Sequence, residues 1–218
     1  MSKKIVFGGW AVSPDILKNV FGDDACYIDV NKIMPKIFDT SCRLKDDWTE
    51  IVIAECQLKY GNIDILAGWS TGAMFAYTIA RTCTHPPKKL IFLSATPCFC
   101  RKDDFRFGTR AAVLEQMIGA LSNDRDTVLQ SFYERCGLGY DPDIIPDYTI
   151  HELSCGLQFL KQADLRPITP LSTKPIFYHG QNDLIIPISA SKYFSEKTNG
   201  SYIEITGGHA FFTCSTLQ

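Results

Sequence analysis

The chain has 218 residues, of which 45% are hydrophobic and 21% charged, and its formal net charge at pH 7 is −2. This length is typical of one domain with a sizeable buried core, and the composition is that of an ordinary globular protein. The near balance of charges argues against a nucleic-acid partner or an anionic membrane surface, and no apolar run approaches the roughly 18 residues that a membrane-spanning helix needs.

Nine cysteines are scattered along the chain without the paired spacing of a zinc site. The two nearest to each other, Cys98 and Cys100, are too close in sequence for a C-x-x-C redox pair. We expect reduced, mostly buried thiols in a cytoplasmic protein, with no metal site. The apolar segment that begins after Lys4 is short and ends at Gly8-Gly9, so we expect a first strand there and not a signal peptide.

Short apolar runs alternate with helical patterns through the first part of the chain. Strands are predicted at residues 4–7, 26–30, 63–67 and 89–94. Helices are predicted between them at residues 13–21, 46–60 and 73–83, the first of them capped by Ser13 with Pro14 at its first position. Strands that are apolar throughout and alternate with helices indicate a parallel sheet with helices on both faces.

The alternation breaks after Pro97 and resumes much later in the chain. Residues 101–165 show helical patterns at 109–121, 124–136 and 148–161 but no strand pattern. A strand at 175–179, a helix at 189–197 and a strand at 202–205 follow. We therefore predict an α/β fold in one domain, residues 1–218, with a core of residues 1–100 and 166–218 and a helical lid at about 101–165. Such an insertion would lie over the carboxyl ends of the strands, where open α/β sheets bind ligands.

A serine lies between two glycines in the stretch Gly68-Trp69-Ser70-Thr71-Gly72, directly after a predicted strand and before a predicted helix. A strand, a sharp turn and a helix with serine at the apex are typical of a nucleophile elbow. Glycines are needed because side chains on either side of the serine would crowd the packed strand and helix. Ser70 is therefore expected at the carboxyl end of the sheet, beside the first free N–H groups of a helix.

A serine needs a base to become a nucleophile, and the base needs an acid that orients it. Asp183 follows the predicted strand 175–179, and His209 follows the strand 202–205, which places both at the same edge of the sheet as Ser70. The order Ser, Asp, His is that of α/β-hydrolases. We predict a catalytic triad of Ser70, Asp183 and His209. His179, at the end of a strand, stays open as the rival base.

Acyl transfer also needs donors for the negative charge that develops on the attacked carbonyl oxygen. The backbone N–H of Thr71, directly after the serine, is one predicted oxyanion donor, and its hydroxyl should matter less. The backbone N–H of Trp10, in the loop after the first strand, is the other. Gly8-Gly9 would let this loop approach the serine closely. The predicted chemistry needs no cofactor.

Two segments that flank the predicted lid carry a narrower resemblance. Ser-Ala-Thr-Pro-Cys-Phe at residues 94–99 precedes a charged stretch that begins at Arg101, and Gly-Leu-Gln-Phe-Leu-Lys-Gln-Ala-Asp-Leu-Arg at residues 156–166 leads into the strand before Asp183. With these segments, the Gly-Trp-Ser-x-Gly elbow and Gly9-Trp10, the chain resembles the pimeloyl-[acyl-carrier protein] methyl ester esterases of biotin synthesis, within the α/β-hydrolases. The similarity extends over about residues 3–212.

This resemblance implies a serine carboxylesterase that hydrolyses the methyl ester of a pimeloyl chain carried by acyl-carrier protein, through an acyl-enzyme. It implies that Trp10 and Phe132 line the acyl channel. Basic residues of the lid would bind the carrier protein, and the candidates are Arg101, Arg106, Arg110, Arg125 and Arg135. These arginines do not align one to one with those of the family, and the lid is shorter after Cys136. We expect a monomer.

The chain also lacks counterparts of the first two strands and of the last helix that such folds usually carry, which predicts a mostly parallel sheet of about six strands. Two other functions stay open. One is a short-chain carboxylesterase or thioesterase of another pathway, and the other is a non-catalytic α/β-hydrolase that serves as a binding module.

Overall fold

The computed structural model describes residues 3–56, 62–143 and 145–213. A six-stranded sheet in the order β2-β1-β3-β4-β5-β6 forms its centre, and every neighbouring pair is parallel. The strands are β1 (Lys4–Phe7), β2 (Cys26–Ile28), β3 (Ile65–Trp69), β4 (Lys89–Leu93), β5 (Ile176–Gly180) and β6 (Ser201–Ile205). The prediction of a mostly parallel sheet of about six strands is confirmed.

Eight α-helices flank and extend this sheet in the described part of the chain. They are α1 (Lys18–Phe21), α2 (Val30–Ile33), α3 (Trp48–Glu55), α4 (Thr71–Thr82), α5 (Ala111–Leu121), α6 (Arg125–Cys136), α7 (Ile150–Gln162) and α8 (Ile188–Lys197). Short 3₁₀ turns lie at Pro14–Leu17, Met34–Ile37 and Phe211–Thr213. As predicted, Ser13 caps the first of these turns, and α1 ends at Gly22. None of the helices in the described ranges has the length and apolar character that crossing a membrane requires.

The central strands are buried and the edge strands are not, as expected for a parallel sheet covered by helices. Strands β1, β3, β4 and β5 are buried over most of their length, whereas β2 and β6 are half-buried or exposed. Four aromatic rings pack together beside β1, with centroid distances of 5.0–6.1 Å. They are Phe7, Trp48, Phe75 and Phe159, and they join the sheet to α3, α4 and α7 in one core.

Most strand boundaries differ from the prediction by one or two residues, and pairing and capping explain the end of β2 and the start of β3. β2 ends at Ile28, since the side chain of Asp29 accepts the N–H of Asn31 and starts α2. Helix α2 and the 3₁₀ turn that follows it were not predicted, because four-residue elements are too short for a periodic pattern. β3 begins at Ile65, not at residue 63, because its pairing with β1 and β4 starts there. The predicted end of the helix at 46–60 lies outside the described residues.

The three helices predicted between β4 and β5 are present as α5, α6 and α7. Asp124 caps α6 through the N–H of Thr127, and Thr149 with Glu152 forms a capping box at the start of α7. Helix α5 packs against both α6 and α7, and α7 packs against α2 and the 3₁₀ turn after it. The helical insertion therefore rests on the segment that follows β2.

Candidate active site

Ser70 occupies a strained turn between β3 and α4. Its backbone φ is 55° and ψ is −119°, a conformation that residues other than glycine rarely adopt. A Cβ atom at Gly68 would collide with the carbonyl of Gly72, and one at Gly72 would collide with the carbonyls of Phe7 and Gly8. The two glycines therefore allow β1, β3 and α4 to pack closely enough to force this turn. The serine is 7% exposed.

Asp183 follows β5, and four hydrogen bonds fix its buried carboxylate. One oxygen, Oδ1, accepts the backbone N–H groups of Ile185 at 2.8 Å and Ile186 at 2.9 Å. The other, Oδ2, lies 2.8 Å from Nδ1 of His209 and 3.2 Å from Nε2 of His179. Burial alone would raise the pKa of Asp183, but its electrostatic attraction to His209 and the hydrogen bonds from both histidines outweigh burial and hold that pKa well below its usual range.

His209 follows β6, and both its ring and its backbone are anchored. Because the ionised carboxylate can only accept, Nδ1 of His209 carries the proton that binds Asp183. The backbone carbonyl of His209 accepts the indole N–H of Trp69 at 3.1 Å and the hydroxyl of Ser94 at 2.9 Å. Nε2 of His209 is buried and has no hydrogen-bond partner among the described residues. This nitrogen is therefore free to accept a proton.

His179, the rival base, binds the same carboxylate oxygen. Its Nε2 lies 2.9 Å from the carbonyl of Ile186 and 3.2 Å from Oδ2 of Asp183. Both partners are acceptors, so Nε2 carries the hydrogen and is not available as a base. Its Nδ1 is buried and unpartnered in the part of the chain that the structure describes. The contacts thus give His179 the role of a second clamp on Asp183.

The loop after β1 passes beside the serine turn. A Cβ atom on Gly9 would lie 3.0 Å from the Trp69 ring and 3.5 Å from the Cβ of Ser70. The next residue, Trp10, is buried, and its indole N–H donates to the carbonyl of Leu153 in α7 at 2.9 Å. Gly156, also in α7, gives the indole its space, since a Cβ there would collide with the ring. The loop is therefore joined to the helical insertion.

A cavity of about 450 Å³ lies between the insertion and the serine turn. Ser70, Thr71, Trp10 and Phe132 all line it, and the rings of Trp10 and Phe132 meet edge to face at 4.7 Å. Half of its other lining residues are apolar side chains of α5, α6 and α7, such as Val113, Met117, Val128 and Leu157. The structure thus brings together the serine, both predicted oxyanion residues and Phe132 around one apolar space.

The five candidate arginines differ in their surroundings. Arg125 faces Asp126 at 3.2 Å and Asp147 at 3.5 Å. Arg135 lines the cavity and donates to the carbonyl of Leu184 at 2.7 Å. Arg101, Arg106 and Arg110 are exposed before α5, and within the described ranges they form no ion pair.

Sequence reasoning missed Trp69 and Ser94 as supports of His209 and His179 as a clamp on Asp183. Trp69 and Ser94 lie 140 and 115 positions from His209, so no local pattern could reveal these contacts. The signal for His179 was present, because a histidine four positions before Asp183 at the end of a strand shares its sheet edge.

Curated relatives support the resemblance seen in the sequence. Proteins named pimeloyl-[acyl-carrier protein] methyl ester esterase are similar to this chain in Nitrosomonas europaea (25% identical over 164 residues, 69% of this chain and 64% of that protein), Wigglesworthia glossinidia brevipalpis (29% over 155 residues, 64% and 57%) and Xylella fastidiosa strain M23 (28% over 170 residues, 69% and 66%). The chain thus spans less than two thirds of the length of these relatives. No family model matches the chain.

Solved structures decide the fold. A bromoperoxidase from Bacillus anthracis superimposes with a TM-score of 0.76 at 18% identity, and an esterase from Exiguobacterium antarcticum with 0.72 at 18%. Each comparison includes 97% of this chain and 87% of the other. The chain has the α/β-hydrolase fold. Its named sequence relatives are esterases, so the predicted fold class and resemblance are confirmed.

Proposed function

We propose that this protein is a serine carboxylesterase. The observation that carries the proposal is the 2.8 Å hydrogen bond between Asp183 and Nδ1 of His209, formed at the sheet edge where Ser70 occupies a strained turn in the wall of an apolar cavity. This arrangement supplies a nucleophile, a base with a free nitrogen and an ionised acid that orients the base.

The proposed reaction proceeds in two steps. Nε2 of His209 takes the hydroxyl proton of Ser70 as its Oγ attacks the ester carbonyl, and the resulting oxyanion accepts the N–H groups of Trp10 and Thr71. The tetrahedral intermediate then collapses and His209 protonates the departing alkoxide. The alcohol is released, and the acyl group stays bound to Ser70 as an acyl-enzyme. Water then attacks the acyl-enzyme by the same route, which releases the carboxylic acid and returns the proton to Ser70.

For the substrate, we propose the methyl ester of a pimeloyl chain on acyl-carrier protein. The sequence relatives are named for this activity. The cavity, at about 450 Å³ and mostly apolar, lies within the range of roughly 300–1,000 Å³ that small-molecule sites occupy. The five methylenes of a pimeloyl chain would each contribute about 0.8 kcal/mol on burial there. Trp10 and Phe132 would contact this chain.

We further propose that α5, α6 and α7 form a lid that carries the contact with the acyl-carrier protein. The exposed residues Arg101, Arg106 and Arg110 are the first choices for an acidic partner, since no carboxylate among the described residues pairs with them. Arg135 lies at the wall of the cavity, and in this proposal it would meet the polar arm that joins the acyl chain to its carrier. Arg125 is already paired with two aspartates and is therefore the weakest of the five candidates for binding the carrier protein.

A substrate panel tests the proposal. Wild-type protein and Ser70→Ala are incubated with methyl-pimeloyl carrier protein, p-nitrophenyl esters, acyl-CoA and other acyl-carrier species, and a fluorophosphonate probe reports on the serine separately. We expect methyl-pimeloyl carrier to be demethylated by wild type alone. Labelling of Ser70 with the methyl ester left intact would reject this substrate and favour one of the other esters or thioesters. Complete resistance of a folded wild-type protein to the probe would reject catalysis and favour a binding module.

A further inference from the structure

The carboxamide of Asn31 binds both peptide groups that flank Trp10. Its Oδ1 accepts the backbone N–H of Ala11 at 2.8 Å, and its Nδ2 donates to the carbonyl of Gly9 at 3.1 Å. The side chain is fully buried. One residue of α2 thus holds the loop after β1 on both sides of the tryptophan.

The contact with Gly9 has a direct geometric consequence for Trp10. The carbonyl of Gly9 and the N–H of Trp10 belong to the same planar trans peptide unit, in which the two groups point in opposite directions. Fixing the carbonyl toward Asn31 therefore aims the Trp10 N–H away from Asn31. Donation to that carbonyl also polarises the peptide unit, which makes its N–H a stronger donor.

Asn31 is itself held in one orientation. Asp29 accepts its backbone N–H at 3.0 Å and its Nδ2 at 2.9 Å, and the second carboxylate oxygen of Asp29 accepts the hydroxyl of Tyr148 at 2.8 Å. Since Asp29 and the Gly9 carbonyl both need a donor while the Ala11 N–H needs an acceptor, only one assignment of the amide satisfies all three.

The loop after β1 that Asn31 binds contains a residue in a strained backbone conformation. Ala11 has a φ of 59°, in the left-handed region that residues with a side chain rarely adopt. Besides the contact of its N–H with Asn31, its carbonyl accepts the hydroxyl of Tyr133 from α6 at 2.9 Å. Asn31 therefore binds the backbone N–H of Ala11, and the helical insertion binds its carbonyl.

We propose that Asn31 is a positioning residue that orients the Trp10 N–H toward the oxyanion. This role rests on the proposed function, in which Ser70 attacks an ester and Trp10 supplies one of two oxyanion donors. Asn31 touches neither the substrate nor the serine and acts through one peptide unit. If the side chain of Asn31 only stabilised the loop, its replacement would lower the stability of the protein but would not lower kcat selectively relative to KM.

The test compares Asn31→Ala and Asn31→Asp with wild type. Aspartate keeps an oxygen for the Ala11 N–H but cannot donate to the Gly9 carbonyl. Loss of a whole oxyanion donor reduces kcat by about 10²–10³, so misorientation of one donor should reduce kcat by about 10–100-fold with KM changed less than threefold. The second-order rate of fluorophosphonate labelling at Ser70 and the affinity for an alkyl trifluoromethyl ketone should fall by similar factors, because both adducts place an oxygen in the same position.

Thr198→Ala is the matched control, since Thr198 is fully buried and its hydroxyl bonds two carbonyls of α8 at the opposite edge of the sheet. It should lower the thermal unfolding midpoint but leave kcat and labelling unchanged. A folded Asn31→Ala or Asn31→Asp protein that labels and turns over within twofold of wild type would overturn the proposal, as would a rise in KM with unchanged kcat. If wild type labels at Ser70 but leaves methyl-pimeloyl carrier intact, the substrate proposal fails and the labelling rates still decide the role of Asn31.

Discussion

His179 and His209 bind the same oxygen of Asp183, so replacing each by alanine separates the base from the clamp. His209→Ala removes the only one of the two rings that has a free Nε2, and we expect a loss of about 10⁴-fold or more in kcat with little change in KM. His179→Ala leaves Asp183 with three of its four hydrogen bonds, those from Ile185, Ile186 and His209. We expect kcat to fall by less than about tenfold.

His179→Ala should lower stability although it largely keeps activity. His179→Ala deletes the single Nε2 hydrogen that Asp183 and the carbonyl of Ile186 share, and a hydrogen bond to a charged group is worth roughly 1.5–3 kcal/mol. It also leaves the space of a buried imidazole unfilled, which adds to this loss. The free energy of unfolding should therefore fall by about 2–4 kcal/mol. Denaturant unfolding measures this, and ester hydrolysis with fluorophosphonate labelling measures activity. An inactive but folded His179→Ala protein, together with an active His209→Ala protein, would refute the assignment of the base.

Three further predictions follow from buried polar groups and close contacts. The folded-state pKa of Asp183 is depressed, so the stability that its carboxylate contributes is present above the unfolded pKa of about 3.9 and is lost as the pH falls below that value. The free energy of unfolding of wild type should therefore fall more steeply in this pH window than that of Asp183→Asn. Parallel curves for the two proteins would contradict this prediction. Thr71→Val removes a buried hydroxyl that has no partner among the described residues, so the free energy of unfolding should rise by about 1 kcal/mol, with kcat retained because the backbone N–H remains; a large loss of kcat would show that the hydroxyl contacts the substrate. Gly156→Ala would push its Cβ into the indole of Trp10 and should lower the free energy of unfolding by about 1–2 kcal/mol while slowing the labelling of Ser70; a labelling rate equal to that of wild type would show that the indole position does not matter.

Local patterns were enough to predict the alternating strands and helices, the three inserted helices and the serine turn. These depend on apolar periodicity and on glycines whose neighbours are close in sequence, such as Gly68 and Gly72. The prediction that Ser70, Asp183 and His209 lie at one edge of the sheet follows from these strands, because the carboxyl ends of parallel strands meet at one edge.

The supports of the site depend on contacts between distant parts of the chain and could not be predicted. The indole of Trp69 meets the carbonyl of His209, and Asn31 reaches back 20 and 22 positions to Ala11 and Gly9. An isolated asparagine in a four-residue helix has no periodic signature, and its role becomes visible only once β1 and β2 pair side by side. The predicted start of β3 was wrong for the same reason, since its pairing with β1 and β4 decides where it begins.

The central claim is that Ser70 cleaves the methyl ester of a carrier-bound pimeloyl chain. Its most direct test is a gel-shift or mass measurement of methyl-pimeloyl carrier protein after incubation with wild type and with Ser70→Ala. We predict demethylation by wild type and an unchanged substrate with the variant, whose thermal stability should be close to that of wild type. Demethylation by Ser70→Ala at more than a few per cent of the wild-type rate would contradict the nucleophile, and an intact methyl ester with active wild-type protein would contradict the substrate.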